Sequence, residues 1–410
     1  MKAPATLIII SLLIAVCIFK LLQLEDCIYE KAWISQDSSG YIEAADLLYN
    51  ERAVHPVRPL GYAFILGLPN LVIDGPSVEQ YIIWSFVINM LSWLATILLL
   101  FKTLNLFLSK RTSFWVSLVF TTCLGSMVHS AMVLTESMTG FLLMLACYYL
   151  FVYQKSKHVS HLLLAAAVLN VSILFRPGMY YFALLFTLGL VLYIAFSQKF
   201  KLLLHAAFLV SIILVAVQLI SMKQSFGDFT PSYIDKVTWY RYLGAQANAT
   251  LNNRDHREER MERDSILQEK NWSERSLLAK EDMKKQLFTN ADNVTKEYLG
   301  NIIGNSYGGS HGIKRARIIH AEPTYTRINK SLELISKIQQ GAAFLIFLAA
   351  SLFIVIFRKR KNLALLLSCG LILYIIATSG ISFWQGDRFY IVFYPLLIVI
   401  VGYLFKKRSP

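Results

Sequence analysis

Five charged residues of this 410-residue chain lie either in the long polar segment at 24–80 or in short hairpins between long apolar segments. Two are acids and three are arginines: Asp37, Glu136, Arg58, Arg176 and Arg388. A carboxylate can take a proton from a hydroxyl group, and arginines hold phosphates through paired N–H donors. If the fold brings these residues together, the pattern indicates a general base beside a bound phosphate.

Each of these residues also has a structural explanation of its own. Asp37 begins the run Asp-Ser-Ser-Gly, which suits the N-cap of a helix. Glu136 would gain from the dipole of a helix that begins beside it. The arginines could extend their head groups from the membrane boundary into water. Both kinds of explanation stay open at this point.

The first external segment carries Asp37 within a short amphipathic pattern. Tyr41, Ala45 and Leu48 recur at helical spacing between residues 35 and 48. This spacing predicts a helix that lies on the external face of the membrane, with Asp37 at its start. Tyr41 is a further candidate site residue.

Arg58 stands in a second stretch, residues 55–66, for which we predict another interfacial helix. Pro59 suits the first helical position, because its missing N–H would be unpaired there anyway. Arg58 would then lie at a helix N-terminus, where backbone N–H groups favour an anion. His55 is a candidate site residue in the same stretch.

The composition predicts a membrane protein. Hydrophobic residues make up 56% of the chain and charged residues 16%, and the mean hydropathy is +0.50. The predicted fold class is an all-α polytopic membrane protein with about ten transmembrane helices, interfacial helices in the first external loop and one long external loop. The ten apolar segments cover residues of about 4–23, 81–101, 113–134, 137–153, 161–175, 178–197, 202–222, 338–357, 363–382 and 389–405.

The basic residues predict which side of the membrane the termini face. The chain holds 40 Lys and Arg against 26 Asp and Glu. If both termini are cytoplasmic, the internal segments contain 15 basic residues and no acidic residue, as the positive-inside rule requires. The net charge of +14 is then explained by the membrane, and nucleic acid is excluded as a partner. All five charged candidates fall on the external face.

The internal segments are too short to hold a soluble catalytic domain or a nucleotide-binding glycine motif, so chemistry must face outward. We predict an N-terminal transmembrane catalytic module at 1–222, whose loop 24–80 carries the base, an external cap at 223–337 and C-terminal helices at 338–410. Within the cap, residues 251–285 predict a solvated helix with charges of both signs, and 305–312 predict a mobile loop.

The order of short motifs resembles the GT-C class of integral-membrane glycosyltransferases, and within it the protein O-mannosyltransferases and the lipid A aminoarabinose transferases (families 39 and 83). The resemblance covers the first six apolar segments and the last one, whereas residues 223–337 match nothing that we can assign. The motifs are Asp-x3-Tyr-x-x-Ala at 37–44, Arg-Pro-Leu at 58–60, Thr-Glu-Ser at 135–137, Arg-Pro at 176–177 and Gly-Asp-Arg-Phe-Tyr at 386–390.

The resemblance implies a sugar donor linked to polyprenyl phosphate, which enters from the lipid bilayer. It also implies inverting transfer to a glycan, lipid or protein acceptor on the non-cytoplasmic face. The first-loop aspartate is the catalytic base of these enzymes, a role that carries over to Asp37. Arg58 stands where relatives often have a lysine near the donor phosphate, and Arg176 and Arg388 are further phosphate-binding candidates. The implied location is the bacterial inner (plasma) membrane, with the site facing the periplasm.

A divalent metal is the one cofactor that the sequence leaves open. Several relatives carry two adjacent acids in the first loop, whereas here Asp37 is followed by Ser38. This departure weakens the case for a metal site, and we assign no metal ligand. The five cysteines form no paired or metal-binding spacing either.

Two other functions remain as alternatives. O-antigen ligases and polymerases use a lipid-diphosphate donor and would place a catalytic histidine in the long loop, where His311 and His320 are available. A transporter or flippase for lipid-linked sugars would need charges along its spans. The apolar segments are nearly free of charge and show no inverted repeat, which counts against a transporter.

Overall fold

The computed structural model describes residues 3–32, 34–197, 205–317, 322–356, 362–383 and 385–406. Throughout these ranges the regular structure is helical, without β-strands. The α-helices are α1 (Ala3–Leu21), α2 (Leu24–Tyr29), α3 (Gln36–Asp46), α4 (Leu60–Leu66), α5 (Val78–Leu104), α6 (Lys110–Thr121), α7 (Leu124–His129), α8 (Glu136–Ser156), α9 (Ser160–Ile173), α10 (Tyr180–Phe196), α11 (Ala206–Phe226), α12 (Ile234–Arg241), α13 (Leu243–Leu251), α14 (His256–Gln268), α15 (Trp272–Thr289), α16 (Ala291–Ser306), α17 (His311–Ala316), α18 (Pro323–Ile356), α19 (Leu363–Ser379) and α20 (Tyr394–Leu404).

Six helices in the described part of the chain are long and apolar enough to cross a membrane. They are α1, α5, α8, α10 with the 3₁₀ turn before it, α11 and α18. The chain is therefore a helical membrane protein, as its composition predicts. Of the ten predicted spans, only these six form helices long enough to cross a membrane. Helices α9, α19 and α20 are apolar but have only 14, 17 and 11 residues.

The third predicted span, residues 113–134, is interrupted. Helix α6 ends at Thr121 and α7 begins at Leu124. The side chain of Gln339, on α18, bonds both sides of the break: Oε1 accepts from Leu124 N at 3.0 Å, and Nε2 donates to Thr122 O at 2.7 Å. In an apolar bundle such a break persists only where other groups satisfy the freed backbone.

The irregular segment after α7, residues 130–135, is also buried and also held by an amide. Asn89 on α5 donates through Nδ2 to the carbonyl oxygens of Met132 and Leu134, at 2.8 and 3.1 Å. The polypeptide therefore reaches the start of α8 as a fixed turn. Glu136, the first residue of α8, takes its position from that turn.

The last predicted span, residues 389–405, is shorter than expected. Helix α20 begins only at Tyr394, and the residues before it form a buried turn. The carbonyl oxygen of Asp387 accepts from the backbone N–H groups of Tyr390 and Ile391, at 2.9 and 3.0 Å. Arg388 therefore projects from a turn inside the bundle and does not stand at a helix start.

The external region 223–337 folds into helices of its own. Helices α12 to α16 pack around a small core that includes Trp239, Leu243 and Val294. The expectation of a solvated helix at 251–285 is wrong for its inner face, because Arg263 is buried and pairs with Glu259 at 2.8 Å and Asp282 at 3.1 Å. A charged helix can turn such groups inward when each charge is compensated.

The 305–312 segment is not a free loop. Asn305 is buried and donates through Nδ2 to the carbonyl oxygens of Ser379 and Ser382, at 3.0 and 2.7 Å. Nearby, Gln340 of α18 donates to the carbonyl oxygen of Gly386 at 3.0 Å. Side-chain amides thus connect the cap to the turn that carries Arg388. Helix α18 itself runs across the expected boundary at 337/338.

We expect Gln339→Leu to destabilise the protein, because it leaves Leu124 N and Thr122 O without their bonding partner. Leu124 is buried whereas Thr122 is exposed, and a buried backbone group left unsatisfied costs about 1–3 kcal/mol. The thermal midpoint of the purified protein in detergent should fall clearly below that of Gln268→Leu, which removes an exposed amide. Equal midpoints for the two variants would contradict the role assigned to Gln339.

Candidate functional site

Asp37 is held at the start of α3, but it is not the helix cap. The N-cap is Ser35, whose hydroxyl oxygen accepts from Ser38 N at 3.2 Å, while Ser38 Oγ accepts from Ser35 N at 3.0 Å. This reciprocal capping satisfies the first turn of α3. The N-cap explanation of Asp37 is therefore wrong, and its carboxylate is available for other partners.

The carboxylate of Asp37 lies between two arginines. Oδ1 accepts from Arg58 Nη2 and Oδ2 accepts from Arg388 Nη1, both at 2.5 Å. Arg388 also donates through Nε to Glu136 Oε1 at 2.6 Å. Asp37 and Glu136, from distant parts of the chain, therefore both bind the guanidinium group of Arg388. We call Asp37, Arg58, Glu136, Arg176 and Arg388 the site cluster.

Arg176 joins the site cluster through Arg388. Its Nη1 donates to the carbonyl oxygen of Arg388 at 3.4 Å, and its guanidinium lies 4.7 Å from the ring centre of Phe389. Within the described residues, no carboxylate lies within 4.0 Å of this guanidinium. The site cluster thus has three cations and two carboxylates, and its net charge of +1 favours an anion.

Tyr41 and His55 both support Arg58. The Tyr41 ring lies under the Arg58 guanidinium, 4.6 Å from it, and its hydroxyl is 3.4 Å from Thr135 Oγ1. His55 Nδ1 accepts from the backbone N–H groups of Val57 and Arg58, at 3.0 and 2.9 Å. Burial, together with the charge of Arg58, lowers the pKa of His55 to about 4, so the imidazole is neutral near pH 7.

The first two backbone N–H groups of α4 already have partners. Helix α4 begins at Leu60, one residue after the predicted start. Leu60 N donates to Gln218 Oε1, and Gly61 N donates to the carbonyl oxygen of Leu174, both at 2.9 Å. These two donors are therefore not free for the anion that we expected at this helix end. The Arg58 side chain is what remains to bind an anion there.

The two arginines control the charge of Asp37. Although burial alone would raise the pKa of Asp37, the positive charges of Arg388 and Arg58 hold it well below its usual value. The pKa of Arg388 is raised by Glu136 and Asp37 in spite of its burial. In this state Asp37 is ionised but a weak proton acceptor, because both its oxygens are occupied.

Two further ionisable residues, His129 and Asp387, lie next to Arg388 and were not predicted as site residues. Both side chains are buried, and His129 Nε2 lies 3.7 Å from Asp387 Oδ1. Asp387 stands within the Gly-Asp-Arg motif, and His129 falls in an apolar stretch where a histidine is unexpected. In the sequence, only the motif around Asp387 and the apolar neighbours of His129 could have indicated that these residues belong near the site.

His311, from the long external loop, contacts Asp387. His311 N donates to Asp387 Oδ1 at 3.3 Å, and its Nε2 accepts from Arg315 Nε at 3.0 Å. Arg315 also donates to the carbonyl oxygen of Ile34 at 2.7 Å, just before α3. Burial is the main cause that lowers the pKa of His311 to about 4. His320 lies outside the described residues.

An apolar groove with a volume of about 660 Å³ lies between α6, α18 and α20. One end includes Cys123, Gln339 and Tyr394, near the turn that carries Arg388. From there the groove follows α20 to Phe405. Its shape and lining suit a long apolar chain lying alongside the bundle.

Within the described residues, no group of three His, Cys, Asp or Glu side chains is arranged to hold a metal ion. Comparison of the chain with protein-family models, curated proteins and solved structures finds no match.

We expect the ion pairs of Asp37 to make stability depend on pH. Because the folded pKa lies below the unfolded one, Asp37 contributes stability above about pH 4 and loses it as the pH falls further. Asp37→Asn should lower the thermal midpoint at pH 7, and the difference from the unsubstituted protein should shrink towards pH 3. Asp74→Asn, at an exposed position in the same loop, is the matched control. A constant difference across this range would show that the ion pairs do not stabilise the fold.

Proposed function

We propose that this chain is an integral-membrane glycosyltransferase of the GT-C type. It transfers a sugar from a polyprenyl-phosphate donor to a hydroxyl group of a glycan, lipid or protein acceptor. The observation that carries the proposal is the position of one carboxylate, Asp37, between two arginines. The guanidinium of Arg176, which has no carboxylate within 4.0 Å among the described residues, lies close by. The proposed base and the proposed anion site are thus adjacent, as a reaction with a phosphate leaving group requires.

The net positive charge of the site cluster fits a lipid phosphate. Arg58 and Arg388 present N–H groups that can bind two phosphate oxygens, and Arg176 adds a third cation. As the bond between the anomeric carbon and the phosphate oxygen breaks, negative charge grows on the phosphate. Arginines already in position lower the barrier to that step.

Donor binding also restores Asp37 as a base. A phosphate that recruits Arg58 and Arg388 weakens their ion pairs with Asp37, so the pKa of the carboxylate rises from its depressed value. The acceptor oxygen then attacks the anomeric carbon while its proton passes to Asp37. The products are the inverted glycoside and polyprenyl phosphate, and Asp37 afterwards releases the proton to water.

The apolar groove provides a place for the polyprenyl chain. It begins beside the turn that carries Arg388 and is lined by apolar side chains of α6, α18 and α20. We propose that the polyprenyl tail of the donor lies in this groove while its phosphate reaches the site cluster. Because the donor comes from the membrane, the reaction needs no soluble nucleotide sugar.

The finer topology belongs to the same proposal. We propose ten membrane crossings: the six long helices, the short helices α9, α19 and α20, and the interrupted α6–α7 segment. Both termini would lie in the cytoplasm and the site on the periplasmic face of a bacterial inner membrane. Six long apolar helices and the sidedness of the basic residues support it. Short crossing helices would leave a recess at the end of the bundle, which an amphiphilic donor requires.

Asp37→Asn should remove sugar transfer, because the amide cannot accept the proton. We expect a loss on the order of 100-fold or more, as is usual for a general base. The measurement is product formation by purified protein supplied with lipid-linked sugar donors and acceptor. Asp74→Asn should retain the full rate. Near-normal turnover by Asp37→Asn would remove Asp37 from the role of base.

Arg58→Ala should impair use of the donor, and Arg58→Lys should retain part of it. Lysine keeps the positive charge but loses the two-pronged geometry of the guanidinium. We expect a fall on the order of 100-fold for Ala and a smaller one for Lys, measured as turnover against donor concentration. Arg52→Ala, an exposed arginine in the same segment, is the control. Unchanged donor dependence in Arg58→Ala would contradict phosphate binding by Arg58.

The choice of donor separates the proposal from its alternatives. Membranes that contain the protein should transfer sugar from a polyprenyl monophosphate donor and not from a diphosphate donor. Transfer only from the diphosphate, lost in His311→Ala and kept in Asp37→Asn, would indicate a ligase of the O-antigen type. Movement of labelled lipid across vesicles without any transfer would indicate a transporter.

A further inference from the structure

Directly behind Arg388, two buried ionisable side chains face each other. His129, at the end of α7, has a fully buried side chain, and Asp387 has a side chain that is 2% exposed. The two are separated by 3.7 Å, from His129 Nε2 to Asp387 Oδ1. Neither belongs to the site cluster, and the proposed transfer uses neither as acid or base.

One contact decides which nitrogen of His129 carries a hydrogen. Nδ1 lies 2.9 Å from the carbonyl oxygen of Gly125, one turn earlier in the chain. A carbonyl oxygen only accepts, so Nδ1 must carry the hydrogen. A neutral His129 would therefore direct the lone pair of Nε2 at the carboxylate of Asp387. Two buried acceptors facing each other are unfavourable, and a proton between them turns this contact into an attraction.

Among the described residues, no Lys or Arg side chain lies within 4.0 Å of the Asp387 carboxylate. The guanidinium of the adjacent Arg388 is turned to Asp37 and Glu136. Asp387 Oδ1 does accept from the backbone N–H of His311, but this bond brings no full charge. Burial raises the pKa of Asp387, in the direction of a retained proton. The titratable and charged groups around the pair are the His311 imidazole, Lys314, Glu136, Arg388 and the Tyr394 hydroxyl.

Asp387 is fixed from both sides. A Cβ atom on Gly125 would lie 1.9 Å from Asp387 Oδ2, so only glycine lets α7 come this close to the carboxylate. On the other side, the carbonyl oxygen of Asp387 accepts from two backbone N–H groups of the following turn. The side chain thus ties α7 to the turn from which Arg388 projects.

We propose that His129 and Asp387 share one proton and act as positioning residues, holding the turn from which Arg388 reaches Asp37 and Glu136. The positioning role rests on the proposed transferase function, whereas the shared proton does not. With one proton between them the pair has no net charge. Arg388 then keeps its positive charge for the two carboxylates of the site cluster and for the donor phosphate.

The shared proton can be measured without any enzymatic activity. Full-length protein with ¹⁵N-labelled histidine is reconstituted in lipid nanodiscs, and the imidazole nitrogens are recorded between pH 5 and 8. The His129 signals are those that disappear in His129→Gln, or in His129→Asn if the first variant does not fold. Infrared difference spectra against Asp387→Asn report a protonated carboxyl group.

We expect one of two signatures in the unsubstituted protein near pH 7, and either one supports the proposal. His129 Nε2 carries a hydrogen, or the carboxyl band of protonated Asp387 is present and disappears in Asp387→Asn. In Asp387→Asn, His129 Nε2 should be an unprotonated acceptor of the new amide. An unprotonated Nε2 together with an ionised Asp387 in the unsubstituted protein would overturn the proposal.

The positioning role predicts a pattern across variants that a purely structural role does not. Asp387→Asn beside neutral His129 keeps the pair uncharged, so most of the transfer rate should remain. His129→Gln leaves the Asp387 carboxylate uncompensated behind Arg388, and we expect a fall on the order of 100-fold in kcat. The double variant His129→Gln with Asp387→Asn removes that charge and should recover towards Asp387→Asn alone.

The controls are His256→Gln and Asp292→Asn, both at exposed positions, and thermal midpoints monitor folding. Equal impairment of His129→Gln and the double variant would overturn the positioning role. If no variant and no unsubstituted protein transfers sugar, the proposed function fails, while the spectroscopic result on the shared proton still stands or falls by itself.

Discussion

The site depends on one guanidinium group that two carboxylates share. Arg388 binds Asp37 through one nitrogen and Glu136 through another, at 2.5 and 2.6 Å. These contacts join α3, the start of α8 and the turn before α20, which lie as far as 351 positions apart in the sequence. Glu136 is only 2% exposed, so an isolated charge there would be costly. Burial of each of these charges is therefore tolerated only because an opposite charge lies beside it.

A second layer of side-chain amides makes this arrangement compatible with an apolar bundle. Gln339 and Asn89 bond the freed backbone around α7, and Gln340 and Asn305 bond the region of the turn that carries Arg388. Interrupted helices are tolerated within a membrane protein only where such partners exist. The irregular segments thus bring charged side chains inward, whereas uninterrupted helices would have directed them to the ends of the bundle.

The sequence predicted the class of fold and the members of the site cluster better than the details of their support. Sidedness alone assigned Asp37, Glu136 and Arg388 to one face, because basic residues mark the other face. The interrupted span at 113–134 was not predictable, since its apolar composition is that of a helix and the amide that bridges the break lies 215 positions away. Hydrophobic periodicity carries no information about such long-range hydrogen bonds. For the same reason, the cap at Ser35 and the occupied N-terminus of α4 appeared only in the structure.

We propose that a bound lipid phosphate replaces Asp37 as the ion-pair partner of Arg58 and Arg388. The most direct measurement is an experimental structure of the protein bound to polyprenyl monophosphate. The account predicts phosphate oxygens within hydrogen-bond distance of Arg58 and Arg388, and an Asp37 carboxylate that has lost at least one of its two ion pairs. A phosphate bound elsewhere, with both ion pairs of Asp37 unchanged, would contradict it.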